Sequence, residues 1–284
     1  MLNIAHRGAR SLAPENTLVS ARQAYRLGAD LWELDVRMTR DNRLVVMHDN
    51  SLERTTDVEE VYPKRSSYAL STFDLKEVRR LDAGSWYGKE DPFGEIKKGN
   101  VDRQQLEKYT GQKVPTLEEA LELTNKYSWK VNLEIKSGEN PSSFNEEKME
   151  RLIRKVVSLV EKTKIVSEVL ISSFHPSVIR MVKNLNPDIS KGLLLNEIPS
   201  NPTDMLEGMV VETVNLADSI LKKNPELSDL KEVLRKTGHP PAVIVWTVNE
   251  VDRLKELTIN PLVDGIITDY PQRIAGIIEE SSAE

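Results

Sequence analysis

Short apolar runs alternate with longer stretches of helical period along most of this chain, the pattern of a parallel α/β protein. The runs at Asn3–His6, Leu31–Val36, Leu44–His48, Lys130–Lys136, Val169–Phe174, Gly192–Leu195, Val210–Leu216, Val243–Val248 and Gly265–Asp269 predict strands. Their Val, Ile and Leu content suits strands covered on both faces. Helices fill most of the gaps. Asn16 reads as the N-cap of a helix carrying Leu18, Ala21, Ala24 and Leu27, with Gly28 as its stop. Thr116 and Glu119 form a capping box after Pro115. The stretch Asn145–Lys162 sets Met149, Leu152, Ile153, Val156, Val157 and Val160 on one broad face. Asn249 reads as the cap of the segment with Val251, Leu254 and Leu257, and Pro271 suits the first turn of a last helix.

Nine strand candidates are one too many for an eight-stranded barrel. Only Arg37–Arg43 joins the second and third, too little chain for a parallel crossover, so Asp41-Asn42 marks a hairpin or an irregular connection. The fold class expected is α/β, a distorted (β/α)8 TIM barrel. From Asn50 to Val114 the pattern changes. This stretch is polar, holds Gly84, Gly88, Gly94 and Gly99, and carries one clear helix, Leu75–Leu81. A structureless loop of that length is improbable in a compact domain, so 50–114 reads as a small inserted subdomain at the barrel mouth. The catalytic barrel is then 1–49 with 115–284, and the charged Lys97–Lys113 reads as a mobile excursion.

Charged residues make up 30% of the chain and hydrophobic ones 39%, enough apolar material for a large core in a well-solvated protein. The formal net charge of −6 argues against nucleic acid or an anionic membrane as main partner, so a phosphate-bearing substrate is expected to be small. With no cysteine, disulfides, thiolate metal sites and cysteine nucleophiles are excluded. Met1-Leu2-Asn3-Ile4-Ala5-His6 runs straight into a strand, and nothing resembles a leader or a membrane span. A cytoplasmic location without stable membrane association is expected. Nothing in the pattern sets an oligomeric state.

The chemistry gathers where predicted strands end: His6-Arg7-Gly8, Glu33-Leu34-Asp35, His48-Asp49 and Glu134-Ile135-Lys136. Glu33 and Asp35, two apart on a strand, point to one side and repel unless a cation or proton intervenes. Strand-end salt bridges are the plain alternative. With Glu134 they supply three oxygen ligands, which favours a hard divalent cation: Mg²⁺ or Ca²⁺, with Mn²⁺ as a third choice. His6 could be a hydrogen-bonded structural residue and Arg7-Gly8 a surface ion pair and a turn. Alternatively, Gly8 lets the backbone approach a ligand while Arg7 forks onto phosphate oxygens. Asp49 either orients the His48 imidazole or caps the next turn. Of the other two histidines, His175 precedes Pro176 at a helix start, and His239 lies in the turn Gly238-His239-Pro240-Pro241. Trp246, Phe174 and Trp86-Tyr87 are either core aromatics or an apolar wall for a glycerol-like group. Walker, dinucleotide and Gly-x-Ser-x-Gly signatures are absent.

At these residues the chain resembles the glycerophosphodiester phosphodiesterase family of the phospholipase C-like barrels. The matching text is Ala5-His6-Arg7-Gly8, Pro14-Glu15-Asn16-Thr17, Glu33-Leu34-Asp35-Val36, Val46-Met47-His48-Asp49, Arg54-Thr55-Thr56, Leu81-Asp82-Ala83-Gly84, Val114-Pro115-Thr116-Leu117, Glu134-Ile135-Lys136, Ser172-Ser173-Phe174, Trp246-Thr247-Val248-Asn249 and Asp264-Gly265-Ile266-Ile267-Thr268-Asp269. The resemblance implies a barrel with an insertion after the His48 strand and hydrolysis of glycerophosphodiesters to glycerol 3-phosphate and an alcohol. It implies Glu33, Asp35 and Glu134 as metal ligands, His6 and His48 as the acid–base pair, and Arg7 and Lys136 as phosphate contacts. Phe174 and Trp246 are expected beside the glycerol. The link Lys97–Lys113 is longer than the family's usual one. A lysophospholipase D-like or lyase-type phosphodiesterase, and a phosphate-ligand module without catalysis, are the competing readings.

Overall fold

A computed structural model describes residues 1–136, 145–198, 209–224 and 240–283. Eight parallel strands close into a barrel: β1 (Leu2–Ala5), β2 (Leu31–Met38), β4 (Lys130–Ile135), β5 (Val169–Ser173), β6 (Ser190–Leu195), β7 (Thr213–Ala217), β8 (Ala242–Trp246) and β9 (Gly265–Thr268). Pairing of β1 with both β9 and β2 seals the ring. The surplus strand is explained. β3 (Leu44–Val46) runs antiparallel to the far end of β2, with Val36 opposite Val46, and stays outside the ring. The seventh strand begins at Thr213, not at Val210.

Helices cover the barrel through the apolar faces their spacing predicts. α1 (Leu18–Arg26) buries Ala21 and Ala24, α6 (Leu117–Lys126) buries Leu117, Ala120 and Leu121, and α7 (Glu146–Thr163) buries all six apolar positions named above. Thr116 caps as expected, with the reciprocal Glu119 contact, and Asn145 caps α7 by accepting from Lys148 N. Two other caps differ. Thr17, not Asn16, accepts from Ser20 N at 3.2 Å, and Glu250, not Asn249, precedes the helix Val251–Thr258. Both asparagines are engaged elsewhere, in the site described below. His175 stands at the N-cap position of the helix Pro176–Leu185 without a side-chain cap bond; His239 lies outside the described residues. No helix among the described residues is long and apolar enough to cross a membrane.

Residues 50–114 hold short helices: α2 (Val58–Val61), α3 (Leu75–Val78), α4 (Ser85–Glu90) and α5 (Arg103–Tyr109). One apolar cluster joins Leu52, Leu70, Phe73 and Leu81 to Val45 and Met47; a second joins Tyr87, Val101 and Tyr109 to Leu12 and Ala13. Within Lys97–Lys113, where an excursion was expected, Arg103–Tyr109 forms a capped helix. Asp102 and Gln105 form its capping box, and Tyr109 Oη donates to Leu12 O at 2.6 Å. Sequence reasoning weighed the charge of this segment and missed its two buried anchors, Val101 and Tyr109.

Gly84 is where α4 and α5 meet. A Cβ there would fall 1.8 Å from Tyr109 O, which is backbone and cannot step aside alone. Gly84→Ala should lower stability by roughly 1–3 kcal/mol through overpacking, read as a fall in urea midpoint. An unchanged midpoint would show that the two helices are not packed this tightly.

Candidate active site

The parallel register brings the acids together. Asp35 on β2 is the Cα partner of Glu134 on β4, and Glu33 lies two residues earlier on the same face of β2. Each of the three offers a carboxylate oxygen within 4.8 Å of the others. Glu33 and Asp35 are 2% and 1% exposed, so solvent does little to soften their repulsion. Burial, with Asp35 and Glu134 beside it, drives the Glu33 carboxyl well above the usual carboxylate range. Burial raises Glu134 too, against the pull of Lys136 and with a push from Asp35. Burial would also raise Asp35, but Lys136 and Arg7 overcome it and hold that carboxyl far below its ordinary value.

The cations are placed to match. Lys136 Nζ lies 2.9 Å from Asp35 Oδ1 and also contacts Glu134 Oε1. Arg7 gives its backbone N–H to Glu33 Oε2 at 2.9 Å and sets its Nε 3.4 Å from Asp35 Oδ2. Asn16, in a left-handed conformation at φ 56°, donates to Asp35 Oδ2 at 2.7 Å. Glu33 Oε1 is buried with no hydrogen-bond partner among the described residues. Gly8 has φ 82°, and a Cβ there would lie 2.3 Å from Ser20 Oγ, so what approaches this glycine is helix α1.

Two imidazoles flank the acids, each held at Nδ1 by a carboxylate. His6 Nδ1 is 2.6 Å from Asp269 Oδ1, and His48 Nδ1 is 2.6 Å from Asp49 Oδ1. Asn249 fixes Asp269 in turn, donating to its Oδ2 at 2.7 Å and accepting from its backbone N–H at 3.0 Å. The partners respond unequally. Burial would raise Asp269, but the bond to His6 wins and holds it at about 2, while burial outweighs the same bond at His6 and lowers the imidazole. Facing a carboxylate, Nδ1 of a neutral ring is the donor, which leaves the lone pair on Nε2. Arg54 Nε donates to Asp49 Oδ2 at 2.6 Å, behind His48.

Phe174 and Trp246 stack edge-to-face with centroids 5.6 Å apart. Phe174 is 36% exposed, whereas Trp246 donates from Nε1 to Asn215 O and packs against Ile4, Leu31, Ile244 and Ile267 inside the barrel. Tyr87 is core, and Trp86 lines a cavity of about 600 Å³ together with Arg10, Arg54, Asp57 and Asp82. Sequence reasoning missed four site residues in these roles: Asp269, Asn249, Asn16 and Arg54. Asp269 and Asn249 lay in strand-end motifs, Asn16 and Arg54 in loops, and they were read as strand, cap or family text.

Fold and site together define a TIM-barrel enzyme with a buried acidic trio and two carboxylate-held imidazoles. The model of the "Glycerophosphoryl diester phosphodiesterase family" matches residues 6–273, and the chain belongs to that family. It is 33% identical over 279 residues to a glycerophosphodiester phosphodiesterase of Caldanaerobacter subterraneus subsp. tengcongensis, covering 98% of both chains. One from Bacillus altitudinis is 31% identical, with 97% of each chain covered. Among solved structures, a phosphodiesterase of Oleispira antarctica in complex with the product sn-glycerol-3-phosphate is 27% identical, with 97% of this chain and 96% of that one covered and a TM-score of 0.77.

The low Asp269 value has a consequence for acid stability. Held at about 2 when folded, against roughly 3.9 in an unfolded chain, it takes up a proton on unfolding as the pH falls between those values. Its stabilisation, roughly 2–3 kcal/mol, is full above about pH 5 and disappears toward pH 2. Asp269→Asn should therefore flatten the fall in unfolding free energy from pH 6 to pH 3. A fall as steep as in the native chain would contradict the bond to His6.

Proposed function

We propose that this site hydrolyses glycerophosphodiesters to sn-glycerol 3-phosphate and an alcohol, with His6 and His48 as proton carriers and a divalent cation held by Glu33, Asp35 and Glu134. The observation that carries the reading is the buried acidic trio, with Glu33 Oε1 unpartnered among the described residues. Three hard oxygen donors suit Mg²⁺ or Ca²⁺, and also Mn²⁺, and a buried carboxylate oxygen without a donor is what a cation would satisfy. When bound, such an ion supplies a Lewis acid for phosphate oxygens and makes a coordinated hydroxyl easier to deprotonate.

The chain's own groups do the rest. Arg7 and Lys136 present positive charge beside the trio, where a phosphodiester adds another negative charge. Burial, with Arg7 and Arg10 beside it, disfavours the charged form of His6 and suits it to take a proton from the glycerol 2-hydroxyl or from water. His48, held at Nδ1 by Asp49, gives a proton to the leaving alcohol. Phe174 and Trp246 form the apolar wall for the glycerol backbone. Residues 50–114 act as the insertion at the mouth that meets the alcohol. The solved relative with bound sn-glycerol-3-phosphate supports the product assigned here.

The assay is release of glycerol 3-phosphate from glycerophosphocholine. EDTA should abolish it and Mg²⁺ or Ca²⁺ restore it; release that survives chelation would remove the cation from the reaction. His48→Ala should lower kcat by about 10²–10⁴-fold with a much smaller change in KM. Accumulation of a cyclic phosphate as final product would favour the lyase reading instead.

Thermal melting tests the acidic trio without activity. Without divalent ions, Glu33→Gln should melt no lower than the native chain, because it removes a repelled buried charge. At a hundredfold excess over Kd, a bound cation should raise the native melting temperature by on the order of 5 °C and leave the variant nearly unmoved. An equal rise in both would place the ion elsewhere.

A further inference from the structure

Glu15 is a buried acid that the proposed chemistry does not use. It lies between β1 and α1, 4% exposed, and takes bonds from three guanidinium groups. Its Oε1 accepts from Arg7 at 2.8 Å and from Arg54 at 2.7 Å; its Oε2 lies 2.8 Å from Arg10 Nη2 and accepts from Arg54 at 3.1 Å. Each arginine has a second arm that ends on a different part of the site. Arg7 Nε stands 3.4 Å from Asp35 Oδ2 in the acidic trio. Arg54 Nε donates to Asp49 Oδ2, the carboxylate that holds His48. Arg10 Nη1 lies 3.5 Å from Asp269 Oδ1, the carboxylate that holds His6.

Three side chains drawn to one oxygen pair therefore tie together the trio and both imidazoles. Stability alone is a weak reason for the arrangement, because desolvating a carboxylate and its arginines offsets most of their attraction. Without the Glu15 charge, three cations would be left facing the next carboxylates within reach: Asp35, Asp49 and Asp269. An arginine that closes onto Asp49 or Asp269 competes with the imidazole for the same oxygens, and one that closes onto Asp35 competes with a cation.

We propose that Glu15 is a positioning residue: it anchors Arg7, Arg10 and Arg54 so that both histidines and the acidic trio are held in register for one reaction. It meets no substrate itself. The inference rests on the reading of His6 and His48 as proton carriers, and the test separates the two.

Full-length Glu15→Gln, Arg54→Met and the double variant are compared for kcat and KM on glycerophosphocholine at saturating Mg²⁺, with His6→Ala and His48→Ala as controls. Displacing catalytic groups by about 1 Å costs on the order of 10²-fold, so Glu15→Gln should lose at least about tenfold in kcat with KM held within about threefold. Arg54→Met should lose kcat in the same sense. The double variant should fall well short of the product of the two losses, because both act through one tie. A residue that merely supports the fold would lower the melting temperature and leave kcat per folded enzyme intact. Glu15→Gln that folds and turns over within twofold of native overturns the proposal, as do losses that multiply. If Glu15→Gln does not fold, Arg54→Met decides, since that side chain is 42% exposed: native kcat overturns the proposal and a selective kcat loss supports it. Unimpaired His6→Ala and His48→Ala would instead bring down the reading of the histidines, and this inference with it.

Discussion

Repulsion among Glu33, Asp35 and Glu134 is the constraint around which this barrel mouth is organised. With oxygens within 4.8 Å of one another, each charged pair repels by at least about 3 kcal/mol even at an effective dielectric of ~20. The chain meets that cost unevenly. Lys136, Arg7 and Asn16 converge on Asp35, which stays ionised, while Glu33 keeps one oxygen with no donor among the described residues. A site that needed only to be stable could have dispensed with these charges. Their retention on adjacent parallel strands, in a register that cannot separate them, fits a place built for a doubly charged guest.

The barrel supplies the geometry and the loops supply the restraint. β2 and β4 carry the acids on rigid, hydrogen-bonded backbone, so the carboxylate spacing follows from strand pairing. The imidazoles sit just beyond strand ends, where backbone is freer, and each is fixed by an aspartate. Those aspartates are fixed in turn, Asp269 by Asn249 and Asp49 by Arg54. The segment 50–114 contributes Arg54 directly and pins the loop after β1 through Tyr109. Residues far apart in the chain thus converge on one polar network, whose members restrain each other's rotamers.

Much of this was legible before any coordinates. Strand spacing predicts the barrel, and the Glu-x-Asp pair predicts two acids on one face, because both follow from the two-residue period of a strand. Helix α7 follows from its apolar stripe. What could not be read were contacts set by tertiary geometry. Asn16 and Asn249 stand where helix caps are expected and have the right chemistry for capping, but Asp35 and Asp269 are stronger acceptors, and Thr17 and Glu250 take the cap positions. Asp269 looks like the end of a closing strand until the barrel closes and sets it beside His6. Glu15 looks like a surface acid in a loop, since three arginines at positions 7, 10 and 54 give no sign in sequence that they converge. The helix Arg103–Tyr109 was hidden for the opposite reason: its charges are solvated, and only Val101 and Tyr109 mark it as anchored.

The most direct test of the central claim is an anomalous difference map from crystals grown with Mn²⁺. The account predicts one strong peak enclosed by Glu33, Asp35 and Glu134, with Glu33 Oε1 among its ligands and Lys136 drawn off Glu134. A map at saturating Mn²⁺ with no peak there, and with Lys136 still bound to Asp35 and Glu134, would contradict it: the trio would then be a lysine-neutralised structural cluster.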